Sequence, residues 1–303
     1  MSIKIAMPRV ILALLFTILT LCWISILGNG GVSAVASWWF LIGFGVIGCL
    51  LFILSLSMLA GNVRRRTRIR KSWIITLFLS VIAIWPLGWI FDVGKIAFPL
   101  RVEVATPAAT VRFPLIQPTI VSSGGDKLKN NHHAVWPMER WAYDLLMEPV
   151  SVGSTELDDY GIYGAEVVAP SAGEIIDVYD EEQDGVPGTE NFETMLGNYV
   201  YLHMDETDTY LVLSHLKQRS IVVKAGQRVK EGELLGQVGN SGASSEPHLH
   251  IHHQRQNPTT THMFLTEGLP LYFRNIYGPA MPVGGNTKVD GKNIPTGDRI
   301  TPL

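Results

Sequence analysis

Three uncharged apolar runs dominate the first 92 residues of the chain, at residues 10–28, 36–61 and 73–91. A helix needs about 20 apolar residues to cross the hydrocarbon core of a bilayer, so each run is long enough to span a membrane. Two further runs follow the first, and no small-residue cleavage site comes after it, which disfavours a cleaved signal peptide. The pattern predicts an all-α transmembrane module of three helices over residues 1–92.

The pattern changes after residue 92. Residues 93–130 are rich in Pro, Thr and Val and contain a Ser-Ser-Gly-Gly turn at 122–125, which predicts a linker. Beyond it, short runs of Val, Ile, Tyr and Leu alternate with Gly, Pro, Asn and Asp clusters, a pattern typical of antiparallel sheets. Strands are predicted at 167–169, 174–178, 198–203, 210–215, 234–238 and 249–253. The sequence thus predicts a mainly-β domain with antiparallel sheets over residues 131–275 and a Gly- and Pro-rich tail over 276–303.

Charge separates the same two regions. Residues 1–92 hold 8 of the 24 Lys and Arg residues and only 1 of the 27 acidic residues, so residues 93–303 are strongly acidic. An acidic domain excludes a nucleic-acid-binding surface as the default interpretation. Both cysteines, Cys22 and Cys49, lie inside apolar runs, which excludes a disulfide scaffold and a Cys-based zinc site.

The loops of the helical module predict its orientation. The connection between the second and third runs carries Arg64, Arg65, Arg66, Arg68, Arg70 and Lys71, whereas residues 29–33 carry no charge. Lys4 and Arg9 precede the first run. The positive-inside rule then places the N-terminus and the Arg-rich loop in the cytoplasm and the chain after residue 92 outside. The same loop would meet anionic headgroups, so the lipid bilayer is a predicted partner.

The segment His248-Leu249-His250 is the sharpest chemical signal in the sequence. Residues two apart on a strand face the same side, so both imidazoles can line one site. His215 ends another predicted strand, and Asp144 is an acid inside an apolar stretch. A catalytic zinc needs about three nitrogen or oxygen ligands and an open position, and these residue types supply them without cysteine. A lone histidine is more often an exposed or hydrogen-bonded side chain than a metal ligand. The sequence around these histidines therefore decides whether they indicate a metal site.

Four segments follow one another in order around these residues: Gly197-Asn-Tyr-Val-Tyr-Leu-His203, Leu213-Ser-His215-Leu-Lys217, Val223-Lys-Ala-Gly-Gln-Arg-Val-Lys-Glu-Gly232 and Gly236-Gln-Val-Gly-Asn-Ser-Gly-Ala-Ser-Ser-Glu-Pro-His248-Leu-His250. Together they closely resemble the lysostaphin/LytM-type zinc metallopeptidases, which cut peptide bonds in bacterial peptidoglycan. The resemblance covers residues 131–254, and its last segment is the most specific. It implies that the mainly-β domain is a metallopeptidase domain holding one zinc ion.

The resemblance also implies roles for individual residues. His250 resembles the second histidine of the family's His-x-His pair, a zinc ligand, and Asp144 resembles the family's carboxylate ligand. His215 and His248 resemble the two non-ligand histidines that activate water and stabilise the oxyanion. No further cofactor is implied.

The first ligand departs from the family pattern. The family places a histidine four residues before the metal-binding Asp, and here that position is Arg140, whose guanidinium stays protonated and cannot ligate zinc. Two interpretations are open. In one, His133 reaches the metal from the preceding segment, with His132 as the fallback. In the other, the site is degenerate and the domain only binds cell wall or a partner enzyme.

Three functions follow from these alternatives. The first is a zinc metalloendopeptidase anchored in the bacterial cytoplasmic membrane by several spans, with an extracytoplasmic domain that cuts peptidoglycan peptides. The second is a catalytically degenerate LytM-like module that binds or activates another cell-wall hydrolase. The third is an active zinc peptidase with a protein substrate.

Overall fold

The computed structural model describes residues 9–28, 30–91, 93, 102–189, 191–289 and 292–303. The chain divides into two units, Met1–Arg101 and Val102–Leu303. Lys4, on which the predicted orientation partly rests, and residues 94–101 of the predicted linker lie outside the described residues.

The first unit is helical. Its helices are α1 (Arg9–Gly28), α2 (Gly31–Arg64), α3 (Lys71–Ile84) and α4 (Leu87–Ile90). Helices α1 and α2 are long and apolar enough to cross a membrane. The third predicted span differs, because α3 ends just before Pro86, which has no N–H to donate and whose ring crowds the preceding turn. At 14 residues α3 is about 21 Å long, less than the roughly 30 Å of a hydrocarbon core.

Small residues let the helices of this unit approach closely. A Cβ atom at Gly48 of α2 would lie 2.9 Å from Ala83 Cβ of α3, and one at Gly45 would lie 2.6 Å from Leu87 Cγ of α4. Such close contacts at small residues are typical of helices packed in lipid. The outer surfaces of α1 and α2 stay apolar, with Leu14 and Leu50 exposed by 57% and 66%. Apolar residues on every side suit a membrane better than water.

The second unit is mainly β. Its sixteen strands among the described residues are β1 (Ala109–Arg112), β2 (Thr119–Ser123), β3 (Tyr143–Leu146), β4 (Glu166–Val168), β5 (Gly173–Tyr179), β6 (Asn198–Met204), β7 (Tyr210–Leu216), β8 (Arg228–Val229), β9 (Leu234–Gln237), β10 (Leu249–Gln254), β11 (Gly268–Leu269), β12 (Leu271–Arg274), β13 (Ile276–Tyr277), β14 (Asn286–Val289), β15 (Lys292–Pro295) and β16 (Arg299–Pro302). All six strands predicted from the sequence are present, and each end lies within one residue of its predicted position.

One large sheet organises this unit. Its order is β13-β16-β2-β3-β10-β7-β6-β5-β8, with β11 pairing the end of β10. Every pairing in it is antiparallel. The β4–β9 pair and the β14–β15 hairpin are also antiparallel, and only the short β1–β12 pair among the described strands is parallel. The predicted antiparallel β architecture is confirmed.

The unit extends further along the chain than the predicted 131–275. Strands β1 and β2 fall in the predicted linker, and β13 to β16 fall in the predicted tail. The segment predicted to be a linker belongs to the unit because its apolar side chains are buried. Val111, Phe113 and Val121 lie in the core despite their Pro-rich surroundings. In the tail, Ile300 of β16 is fully buried where that strand pairs with β2.

The alternation along β10 divides the central sheet into two faces. Leu249 and Ile251 point into the main core, together with residues of β1, β4, β9 and β12. His250 therefore points to the opposite face, as expected for a strand. The sequence places polar, titratable groups on the face that the apolar core does not use.

Candidate metal centre

A cleft of about 270 Å³ lies on this second face of the sheet. It is lined by all five residues predicted to carry the chemistry, His133, Asp144, His215, His248 and His250, together with His132 and with Asn286 and Asn293 of the β14–β15 hairpin. A second, more apolar groove of about 290 Å³ adjoins it and shares four of the histidines, His132, His133, His215 and His250. Trp136, Met195 and Phe264 form part of its wall.

Asp144 and His250 meet because their strands are neighbours. They are direct cross-strand partners on β3 and β10, and such partners lie side by side on one face. His250 Nδ1 lies 3.1 Å from Asp144 Oδ1. Both side chains are buried, at 3% and 7% exposure. The register of β3 against β10 thus brings together Asp144 and His250, two of the three candidate ligands.

His133 comes from a 3₁₀ turn, His132–Val135, rather than from the sheet. Its Nε2 atom lies 3.0 Å from both carboxylate oxygens of Asp144. The neighbouring His132 is 67% exposed and its Nε2 atom is 3.7 Å from Asp144. Of the two candidates for the first ligand, His133 has the nearer and more buried ring.

Asn131 holds this turn in place. Its side-chain oxygen accepts hydrogen bonds from the backbone N–H of His133 and from the Ser123 hydroxyl, both at 3.0 Å. Its amide nitrogen donates to the carbonyls of Gly125, Arg140 and Ala142. A single buried amide therefore ties together the segments on either side of the turn.

Arg140 supports the same loop and does not enter the centre. Its guanidinium is fully buried, with Nη2 2.7 Å from Asp126 Oδ1 and Nη1 donating to the Ala134 carbonyl. It also lies over the Trp141 ring at 4.7 Å, and Trp141 Nε1 donates to the same Asp126 oxygen. Burial lowers the pKa of Arg140 to about 10, and Asp126 partly opposes that effect. At the position where the family has a metal-binding histidine, this chain therefore has an arginine that stabilises the loop carrying His133.

Glu139 is a site residue that the sequence analysis missed. Its carboxylate lies 3.6 Å from His133 Nδ1 and 3.6 Å from His250 Nε2, on the side of both rings away from Asp144. Among the described residues, two sets of three potential metal ligands lie close together: His132, His133 and Asp144, and His133, Glu139 and His250. The only local signal in the sequence is an acid two residues after a Trp-Pro pair, which is too common to indicate a site residue.

The electrostatics of the centre favour a cation. Burial alone would lower the pKa of His133, but Asp144 and Glu139 outweigh it and raise that pKa to about 10. Burial would raise the pKa of Asp144, yet the charge and hydrogen bond of His133 hold it well below its usual range. The ionised carboxylates of Asp144 and Glu139 thus lie beside His133 and His250. Their negative charge would also stabilise a bound metal cation.

His215 reaches the cleft through a distorted backbone. Ser214 is the cross-strand partner of His250, so in a regular strand His215 would point to the other face. Instead the β6–β7 register shifts here, and His215 has φ of 62°, the left-handed region. Bulges and strained residues of this kind commonly re-aim a side chain at a functional site.

The two non-ligand histidines are oriented in the same way. His215 Nδ1 lies 2.8 Å from the Ser241 carbonyl, and His248 Nδ1 lies 2.8 Å from the Glu246 carbonyl. A carbonyl only accepts, so Nδ1 carries the proton in both rings and each Nε2 keeps its lone pair. Burial lowers the pKa of both side chains, so both are neutral near pH 7.

A glycine makes the Ser241 contact possible. Gly197 has φ of 61°, and a Cβ atom there would lie 2.4 Å from the Ser241 carbonyl carbon. Only glycine allows this approach and this backbone angle together. The tight turn therefore fixes the acceptor that orients His215.

The other histidines have separate environments. His203 lies outside the cleft and pairs with Asp208 at 2.8 Å, and His253 contacts Thr209 and the Pro270 carbonyl. His252 lies next to His250, with 2.9 Å between their facing nitrogens. His262 is exposed.

Residues 158–261 match the family described as Peptidase family M23. The second unit carries an M23 peptidase domain. The resemblance to lysostaphin/LytM-type peptidases is thereby confirmed. The M23 match includes His215, His248 and His250 but begins after His133 and Asp144. These two residues are assigned to the same site by their contacts with each other and with His250.

Known proteins similar to the M23 domain include the peptidoglycan DD-endopeptidase ShyC of Vibrio cholerae. The two are 35% identical over 85 residues, which cover 26% of this chain and 19% of that protein. A putative M23 peptidase structure from Pseudomonas aeruginosa has 20% identity and a TM-score of 0.30, with 50% of this chain and 46% of that chain covered. The lysostaphin catalytic domain from Staphylococcus simulans has 21% identity and a TM-score of 0.28, with 46% and 88% covered.

Proposed function

We propose that this protein is a membrane-anchored zinc metalloendopeptidase that hydrolyses peptide bonds in peptidoglycan. The observation that carries the proposal is one cleft in which Asp144 contacts both His133 and His250 while His215 and His248 stand beside them. Three nitrogen and oxygen donors with further imidazoles around an open cleft are the pattern of a catalytic zinc site.

The donor set suits zinc. His133, Asp144 and His250 would hold the ion, since zinc accepts imidazole nitrogen and carboxylate oxygen and needs only three protein ligands in a catalytic site. When bound, zinc supplies Lewis-acid polarisation of a carbonyl and lowers the pKa of a water molecule towards about 7. The charge balance between the carboxylates and His133 supports a cation at this place.

The remaining chemistry belongs to His215 and His248. Each has its Nδ1 proton committed to a backbone carbonyl and a neutral ring, so each Nε2 can accept a proton inside the cleft. A ring that has taken a proton becomes a donor, which can stabilise a developing oxyanion or protonate the leaving amine. The rings lie 4.6 Å apart, close enough to serve one reacting carbonyl.

Arg140 weakens the case for the degenerate alternative. That alternative arose because an arginine stands at a ligand position, but the guanidinium is committed to Asp126 and Ala134. A neighbouring turn offers His133 in its place. Peptidoglycan as substrate is supported by the similarity to ShyC, a protein described as a peptidoglycan DD-endopeptidase.

Three membrane crossings would place the M23 domain outside the cytoplasm. Helices α1 and α2 supply two of them, and α3 with α4 would form a third, interrupted at Pro86. The basic residues between α2 and α3 favour a cytoplasmic position for that loop. A reporter active only outside the membrane, fused after Leu303, should be active, and a silent fusion at normal expression would contradict this orientation.

The decisive experiment uses the full-length chain purified in detergent. We expect about one zinc per chain and release of new amino termini from purified cell wall, but not from unrelated folded proteins. Bound zinc with cleavage only of proteins would favour the protein-substrate alternative. Absence of both zinc and cleavage would favour the non-catalytic module.

A further inference from the structure

Three buried polar side chains lie in a row along β10, on the face of the candidate metal centre. His250, His252 and Gln254 are two residues apart and only 3%, 5% and 3% exposed. His250 Nε2 lies 2.9 Å from His252 Nδ1, and His252 Nε2 lies 3.0 Å from Gln254 Oε1. The row ends where Gln254 Nε2 donates to the backbone carbonyl of Gln256 at 2.7 Å.

The direction of every hydrogen bond in this row follows from its last acceptor. The Gln256 carbonyl can only accept, so the Gln254 NH₂ group must face it and the Gln254 oxygen must face His252. That oxygen also only accepts, so His252 carries its proton on Nε2 and keeps a lone pair on Nδ1. His250 must then donate from Nε2, which leaves its Nδ1 lone pair on the side of Asp144.

We propose that His252 and Gln254 are positioning residues that fix the ring tautomer of His250 so that Nδ1 is available to the metal. The inference rests on the proposed function, because it assumes that His250 is a zinc ligand. Partners that hold the second nitrogen of a ligand histidine typically contribute 10- to 100-fold to metal affinity. The two ring nitrogens of His252 face an imidazole and an amide oxygen rather than a carboxylate, so a neutral ring fits the row.

Glu139 is the other group near the same nitrogen. Its Oε2 atom is 3.6 Å from His250 Nε2, too far for a hydrogen bond and longer than the 2.9 Å contact to His252. The carboxylate could still move in if His252 were removed. The test therefore includes each His252 variant in a Glu139→Gln background.

Leucine and asparagine make a matched pair at position 252, since they have almost the same shape but only asparagine can accept from His250. Zinc affinity is measured by competition with a chromophoric chelator, using the full-length chain in detergent. We expect His252→Leu to bind zinc 10- to 100-fold more weakly and His252→Asn to stay within about threefold of wild type. Equal affinity in wild type and His252→Leu, in both Glu139 backgrounds, would overturn the inference. Equal weakening by both variants would show packing alone and would also overturn it.

A spectroscopic readout needs neither zinc nor activity. Nitrogen NMR of the metal-free, ¹⁵N-histidine-labelled chain should show His252 protonated on Nε2 with a bare Nδ1. Gln254→Leu should convert this signal to a mixture of tautomers, whereas His203→Ala, remote from the row, should not change it. A His252 ring protonated on Nδ1 in the wild type would overturn the inference. A wild type that binds no zinc would instead overturn the proposed function, so the two failures are distinguishable.

Discussion

The candidate centre has a strand half and a loop half. Asp144 and His250 stand on adjacent strands, and their meeting follows from sheet register alone. His133 and Glu139 stand on 3₁₀ turns, and side chains such as Asn131 hold those turns in place. Backbone pairing tolerates most side-chain changes, whereas a loop held by a few buried hydrogen bonds does not. Loss of a candidate ligand should therefore disable either half, whereas loss of a supporting side chain should disturb the loop half more.

The largest effect is expected in the strand half. His250→Ala should abolish both zinc retention and hydrolysis, because two remaining protein ligands rarely hold zinc tightly. Zinc content and release of amino termini from cell wall measure the two losses. His203→Ala, a histidine on β6 outside the cleft, is the control and should behave as wild type. Full zinc occupancy in His250→Ala would contradict the assignment.

The paired histidines of the loop half offer a sharper test. His133→Ala should lose zinc almost as completely as His250→Ala, because its buried ring contacts Asp144 at 3.0 Å. His132→Ala should retain zinc, since that ring is 67% exposed and more distant. The comparison is made by metal analysis of both purified variants. The reverse result would move the first ligand to His132.

The non-ligand histidines should separate metal binding from rate. His215→Ala and His248→Ala should keep their zinc but lose about 10²- to 10⁴-fold in hydrolysis, the usual cost of an acid–base or oxyanion group. The double variant should be little worse than either single one if both act on the same intermediate. Wild-type rates in both single variants would refute the catalytic roles.

The pH profile of hydrolysis tests the same pair of rings. Burial lowers the pKa of both His215 and His248 below the ordinary 6.5, so each ring stays neutral until the pH falls below that value. A neutral ring is needed to accept a proton, so these two rings should limit hydrolysis only below pH 6.5, whereas a zinc-bound water would give a separate acid limb near pH 7. Zinc content measured at each pH separates protonation of these rings from metal loss. An acid limb above pH 6.5 that disappears from the residual activity of His215→Ala or His248→Ala, with zinc fully bound, would contradict this expectation.

The smallest effect is expected from Arg140, which stabilises the loop carrying His133. Arg140→Leu removes a buried partner of Asp126 and of the Ala134 carbonyl, and should lower the free energy of unfolding by about 1–3 kcal/mol. Zinc affinity should fall with it, because the turn carrying His133 loses a support. Denaturant unfolding of the full-length chain measures the first effect. Arg219→Leu, at an exposed ion pair, is the matched control and should leave the unfolding midpoint almost unchanged.

The same division explains what the sequence could predict. Alternation and turn residues predicted the strands around His215 and His250, because both signals are local. The strands β1, β2 and β16 were missed because their apolar residues are few and their partners are distant in sequence. His133 was named only as one of two candidates, since a one-residue difference in a turn depends on the Asn131 and Arg140 contacts. Glu139 could not be identified, because nothing local distinguishes it from a surface acid.

Strand β10 lies between β3 and β7 in the central sheet, and its partner Asp144 is 106 positions earlier in the chain. During synthesis His133 and Asp144 therefore leave the ribosome long before His250. Contacts between such distant segments form slowly, because a long loop must close first. If His133, Asp144 and His250 hold zinc as proposed, a partly made domain would offer two of the ligands and no closed cleft, so tight zinc binding would have to wait until β10 is in place. Under the proposed function, zinc binding would therefore follow the completion of the fold and would not guide its early stages.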